Sequence, residues 1–147
     1  MNTPLLPLII VALAGCAVAL QTPINAALGR GIGSGVAAAA VSFGVGFLVL
    51  MAVLLVLGQS GSLLAIADVR PVLLLGGVLG AFYVWSVLWA IPTLGALTTI
   101  SALILGQLAA ALVIDATGLM GLAVQAVTPA RIAAAALVGA GLVLSRY

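Results

Sequence analysis

Histidine and lysine are both missing from this chain of 147 residues, and cysteine occurs once, as Cys16. Without histidine no Ser-His-Asp or Cys-His nucleophile can be assembled, and metal sites of the usual His/Cys type lack their ligands. A lone cysteine excludes an intramolecular disulfide. Charge is almost as scarce: Lys, Arg, Asp and Glu together make up 4% of the chain, against roughly 25% in soluble domains. The positive charges are separate arginines and form no patch, so nothing favours binding to nucleic acid. No Asp, Glu, Lys, Arg or His falls in the middle of any span, which argues against a proton relay through a midplane carboxylate. No catalytic residue, metal or cofactor is expected, and an intramembrane enzyme is the weakest functional reading.

What is present is overwhelmingly apolar, at 66% hydrophobic residues. A soluble protein of that composition would have no surface to present to water. Only a bilayer solvates it, so the chain reads as an all-α integral membrane protein. One feature near its start imitates something else. Leu13-Ala14-Gly15-Cys16 after an apolar run has the look of a lipoprotein cleavage box. The preceding stretch carries no Lys or Arg, however, and the apolar run continues to Leu20. A small residue packed within a first helix is the better reading.

A spanning helix needs about 20 apolar residues. On that measure the chain divides into spans at about 4–27, 36–57, 71–91, 95–114 and 129–144, all in one transmembrane domain covering 1–147. Gly58–Gly61 ends the second, and Asp68 and Arg70 mark a wet connection. The uncharged stretch from Pro71 to Ile114 would be roughly 66 Å long as one helix, twice the hydrocarbon thickness. It is expected to fold back at Pro92-Thr93-Leu94-Gly95, where proline removes a donor and glycine relaxes the turn. Thr128-Pro129 opens the fifth helix with a capping hydroxyl and a proline at its first position. That helix is short for a span, and Arg131 could snorkel to its end. The segment 119–127 is apolar enough to lie in the membrane interface.

Five spans place Arg30 and Arg146 on one side, and Arg70 and Arg131 on the other. Orientation follows a Lys/Arg excess in cytoplasmic loops, and here there is none. The balance suggests a protein that inserts both ways and pairs with an inverted copy of itself, giving ten helices. Inverted repeats are a recurring architecture of secondary transporters, with the site near the midplane where the repeats meet.

The polar residues within spans are few. Gln21 and Asn25 are four apart on one helix face. Pro23 between them deprives the Ala19 carbonyl of its usual partner. The group is either a polar pocket wall or a self-satisfied kink. Gln107, close to the middle of the fourth span, either joins helices or faces a wet cavity, since an unsatisfied amide in hydrocarbon is costly. Tyr83 and Trp85 lie deep enough in the third span to line a pocket, while Trp89 suits the interfacial aromatic belt. Thr98 and Thr99 can bond back to their own helix. Asp68 reads as a solvated loop charge. Asp115 either caps the turn to Gly118 or titrates in a vestibule, which makes it the sole candidate for ion coupling. Small residues at four-residue spacing, Ala38, Ser42 and Gly46, Gly76 and Gly80, Ala135 and Gly139, read as helix-packing stripes.

The ordered set of local motifs has a familiar pattern. It comprises Gln21-Thr-Pro-Ile-Asn25-Ala-Ala-Leu-Gly29-Arg30, Ser42-Phe43-Gly44-Val-Gly46 and Gly76-Gly77-Val-Leu-Gly80-Ala-Phe-Tyr83. It continues with Pro92-Thr-Leu-Gly95-Ala96, Gly106-Gln107-Leu108 and Ile114-Asp115-Ala-Thr-Gly118-Leu119. In order and spacing it resembles the small inner-membrane YdcZ-like family of the drug/metabolite transporter superfamily, over nearly the whole chain. Thr93 departs from the basic residue found there in many relatives, so the 92–95 loop gives no substrate inference. The resemblance implies a multi-pass protein of the bacterial inner membrane, one half of a ten-helix transporter. Members work as antiparallel homodimers, as pairs of oppositely oriented homologous subunits, or as fused repeats.

The expected function is therefore transport of a small polar or amphipathic metabolite or drug by alternating access. Gln21, Asn25 and Gln107 would bond the substrate and Tyr83 and Trp85 would wall it, with membrane lipid as the other contact. A passive channel or facilitator, and a non-transporting assembly subunit, are the rival readings.

Overall fold

A computed structural model describes residues 5–147, and within them every regular element is helical. The expected first-span start at Pro4 lies outside the described residues. Helix α1 runs Leu5–Ile32, α2 Gly35–Val56, α3 Leu75–Thr117 and α4 Pro129–Leu144. Three apolar stretches are long enough to cross a membrane, those of α1, of α2 and of Pro71–Thr117, while α4 is shorter. At 1.5 Å per residue the 16 residues of α4 reach about 24 Å.

Helix α1 continues through Pro23 and beyond Ala27. Proline is tolerated in a transmembrane helix because neighbouring groups can take up the freed backbone positions. Arg30 falls in the last turn of α1, not in a loop, where a positive charge suits the helix dipole. Ser34 begins α2 as a side-chain cap, its Oγ accepting from the Ala37 N–H at 3.2 Å. Between α2 and α3 the chain forms 3-10 turns over Ser60–Asp68 and Pro71–Leu74.

Helix α3 is interrupted once. Gly95 has φ 76° and ψ 168°, a backbone state that only glycine occupies comfortably. Together with Pro92 it separates helical stretches at 75–94 and 96–117. The second stretch carries Asp115 inside the helix, so Asp115 does not cap the turn that follows.

The chain divides into two compact units, Met1–Pro92 and Thr93–Tyr147. The first has its core where Ala26 of α1, Ala38 and Ala39 of α2 and Leu88 of α3 meet, flanked by Leu28, Val84 and Ile91. Ala38 is fully buried, and the Gly29 backbone lies close against it. Most large apolar side chains are instead exposed, among them Leu20, Leu48 and Phe82. In lipid that carries no penalty, because the tails are as apolar as leucine and close backbone approach, not apolar burial, holds helices together.

The packing role expected of the small-residue stripes divides. A Cβ built on Gly80 would stand 3.6 Å from the Phe43 ring, and one on Gly139 would stand 3.6 Å from Leu105. Gly46 and Gly76 meet nothing within 4 Å. Gly46 borders an open groove.

Candidate functional site

In the Met1–Pro92 unit, Gln21 and Asn25 of α1 and Tyr83 of α3 line one small cavity, together with Val18, Thr22, Val84, Val87 and Leu88. Its volume is about 10 Å³, room for one water-sized group. Two helix repeats explain the assembly. Residues 18, 21, 22 and 25 share one face of α1, and residues 83, 84, 87 and 88 share one face of α3.

The polar groups around this cavity are not equivalent. Thr22 is buried and satisfies itself, its hydroxyl donating to the Val18 carbonyl at 2.9 Å. Gln21 is exposed and its Nε2 donates to Ser42 Oγ on α2 at 3.5 Å, a long bond that leaves the amide oxygen free. Asn25 is 6% exposed, yet its side-chain amide has no hydrogen-bond partner among the described residues. No described side-chain polar atom is both sealed from access and unpaired, so the Asn25 amide keeps some access. Pro23 cannot donate to the Ala19 carbonyl, which adds an acceptor to the same stretch of α1.

Gln21 also borders a second, larger feature, an open groove of about 410 Å³. Ser42, Phe43, Gly46, Phe47 and Leu50 of α2 line the rest of it. Ser42 and Gly46, expected to pack helices, therefore line open space as well. Gly46, lacking a Cβ, keeps that groove open. No Arg or Asp lines either cavity.

Trp85 does not join Tyr83. Two residues apart on a helix means nearly opposite faces, and the Trp85 ring lies in an aromatic row with Phe82 at 6.1 Å and Trp89 at 6.5 Å. All three are exposed on the outer surface of α3. Trp85 and Trp89 are stacked, so the two share one surface role.

The Thr93–Tyr147 unit uses its polar groups differently. Asp115 forms an ion pair with the guanidinium of Arg131, both side chains about 30% exposed (33% for Arg131, 28% for Asp115). The Asp115 carbonyl also accepts from the Gln125 N–H at 2.8 Å, and Arg131 Nη1 donates to the Ala126 carbonyl at 3.4 Å. Thr128 caps α4 by accepting from the Arg131 N–H. Arg131, expected to reach for the membrane surface, is instead held by the loop it follows. Gly118, with φ 64°, makes that loop possible. A Cβ there would stand 2.7 Å from Val124 Cγ2 and 2.9 Å from the Leu122 carbonyl oxygen.

At the other end of this unit, Thr98 Oγ1 donates to the Ser145 carbonyl and accepts from Ser145 Oγ, each at 3.2 Å. The expectation that Thr98 bonds back to its own helix is corrected, because Ser145 lies within reach across the unit. Thr99 does bond back, to the Gly95 carbonyl at 2.7 Å. Gln107 is exposed on α3 with no hydrogen-bond partner among the described residues.

The sequence reading missed the pairing of Gln21 with Ser42 and the phenylalanine walls. The signal was present in Ser42-Phe43 and Gly46-Phe47, where a small residue precedes each ring.

No curated protein and no solved structure matches the chain. One family model does, described as "Putative inner membrane exporter, YdcZ", over residues 6–144. The neutral cavity, the apolar exterior and the long apolar helices fit a multi-pass protein of the inner membrane. On a match of that extent, the chain belongs to the YdcZ family of inner-membrane proteins.

Proposed function

We propose that this chain is a subunit of a secondary transporter of the drug/metabolite type, moving a small polar or amphipathic solute across the inner membrane by alternating access. The observation that carries the reading is Asn25, a buried residue whose accessible amide has no protein partner at a cavity shared with Gln21 and Tyr83. A polar group in hydrocarbon costs free energy unless something bonds it, so such a group marks a place where something binds. The family description as an exporter points the same way and favours transport over catalysis.

In this reading five helical segments cross the membrane, because the two stretches of α3 flanking Gly95 each span. Two copies then pair with opposite orientation, or one copy pairs with an oppositely oriented homologous subunit. The balanced arginines support this. So does Gln107, an exposed amide within a membrane helix that a second subunit could bond. Gln21, Asn25, Tyr83 and Gln107 act as substrate contacts, and Trp85 contributes an aromatic wall to the assembled pair. Asp115 is the residue through which an ion would couple, and coupling would require release of Arg131.

Export is tested by comparing the solutes that accumulate in the medium of cells expressing wild-type protein, Asn25→Leu or empty vector. The expected result is at least one solute enriched by wild type and lost in the variant. Identical profiles for all three would reject the transporter reading. Pairing is tested by fusing Tyr147 to reporters active on only one side of the membrane. Comparable activity of both reporters supports an antiparallel homodimer, and activity of one alone points to a fixed orientation with a distinct partner.

A further inference from the structure

The two cavities of the Met1–Pro92 unit share a wall, Gln21, and differ in character. One holds a water-sized group beside Asn25 and Tyr83, with a volume of about 10 Å³. The other is an open groove of about 410 Å³ bordered by the exposed Phe43, Phe47 and Leu50. A ligand using both has a compact polar head and an apolar body. Its head meets an amide that offers donor and acceptor together, and the free oxygen of a second amide.

It meets no charge. Neither cavity is lined by Arg or Asp, and the chain has no Lys, Glu or His. A charged head entering a low-dielectric site without a counter-charge loses its hydration and gains only dipoles in return. An uncharged hydroxyl or amide loses much less and recovers it in hydrogen bonds to Asn25.

We infer that this site selects uncharged amphipathic solutes, the polar head bonded by Asn25 beside Gln21 and the apolar body lying on Phe43 and Phe47. This selectivity rests on the reading of the cavity as the transporter's substrate site. It specifies the protonation and charge state of what enters. Tyr83, which also lines the smaller cavity, adds no charged group to it.

The test uses the full-length protein in detergent at neutral pH and an isosteric set: benzyl alcohol, benzylammonium and benzoate. Binding is titrated by ligand-observed saturation-transfer NMR, with protein-free micelles of the same detergent correcting for partition. Benzyl alcohol is expected to bind saturably to wild type, about tenfold or more tighter than either ion, and to lose about tenfold in Asn25→Leu. Asn25→Asp supplies the missing charge and is expected to turn the preference toward benzylammonium.

Equal or tighter binding of either ion by wild type would overturn the inference. So would unchanged benzyl alcohol binding in Asn25→Leu, or no saturable binding of any of the three. Because binding is read without transport, neutral selectivity with no exported solute would reject the transporter reading and leave this one standing.

Discussion

The two units of this chain make opposite use of the few polar side chains they possess. In Thr93–Tyr147 the polar groups, the exposed Gln107 apart, are held by one another: Asp115 holds Arg131, Thr98 holds Ser145, and Thr128 caps α4. In Met1–Pro92 the buried Asn25 is left without a partner and Gln21 is held only by a long bond. The lesson concerns how to read polarity in an apolar protein. An amide or carboxylate within a membrane helix is informative only after its partners are counted. The ion pair of Asp115 with Arg131, the most conspicuous polar feature among the described residues, is the better explained of the two. The inconspicuous asparagine is where chemistry remains undone.

If that contrast is real, substitutions should divide by unit, and the largest loss should come from the loop built on Gly118. Gly118→Val combines a strained left-handed backbone with a clash against Val124 and Leu122, and is expected to cost about 3 kcal/mol of stability. Thermal unfolding in detergent measures it, and a wild-type midpoint would show that the loop relaxes freely. Next comes the ion pair. Asp115→Asn is expected to lose about 2 kcal/mol, discounted from the deep-burial range because both side chains are about 30% exposed (33% and 28%).

The double variant Asp115→Leu with Arg131→Met should recover most of that loss, since an apolar pair of similar volume replaces the charges. A double variant as unstable as the single one would mean that the pair is needed for more than its own neutralisation. Thr98→Val should lose about 1 kcal/mol, because Ser145 Oγ retains its bond to the Leu142 carbonyl. Asn25→Leu is the smallest, expected within about 0.5 kcal/mol of wild type, since no protein hydrogen bond is broken. A large destabilisation there would erase the contrast and make Asn25 a structural residue.

How much of this was legible in the sequence follows from the range over which each signal acts. The four-residue spacing of Gln21 and Asn25 is a local property of a helix, and it announced their shared face. The break near Gly95 was equally local, since proline and glycine leave few alternatives to an interruption. The sequence groups Tyr83 and Trp85 as pocket candidates by depth, while helical spacing already sets Trp85 on a face with Trp89 and Tyr83 on one with Gly76 and Gly80, the division seen in the structure.

The contact of Gln21 with Ser42 and the pairing of Asp115 with Arg131 were not legible. Each depends on how one helix returns past another, and a loop conformation fixed by Gly118 decides the second. Thr98 and Thr99 are adjacent and chemically identical, and only tertiary structure sends one across to Ser145 and the other back to Gly95. The extent of α1 beyond Ala27 was hidden for another reason. Its last turn carries an arginine and two glycines, residues that read as a loop until a helix is seen to continue through them.

The alanine seam where α1 meets α2 has a mechanical consequence. Ala26, Ala38 and Ala39 have no side-chain torsions to rearrange, so two helices touching through them can slide without any rotamer changing. Interlocked leucines would act as a ratchet, whereas methyl groups on a smooth backbone act as a bearing. What such a shift between α1 and α2 would have to break is the long bond from Gln21 to Ser42, a polar tie between the two helices.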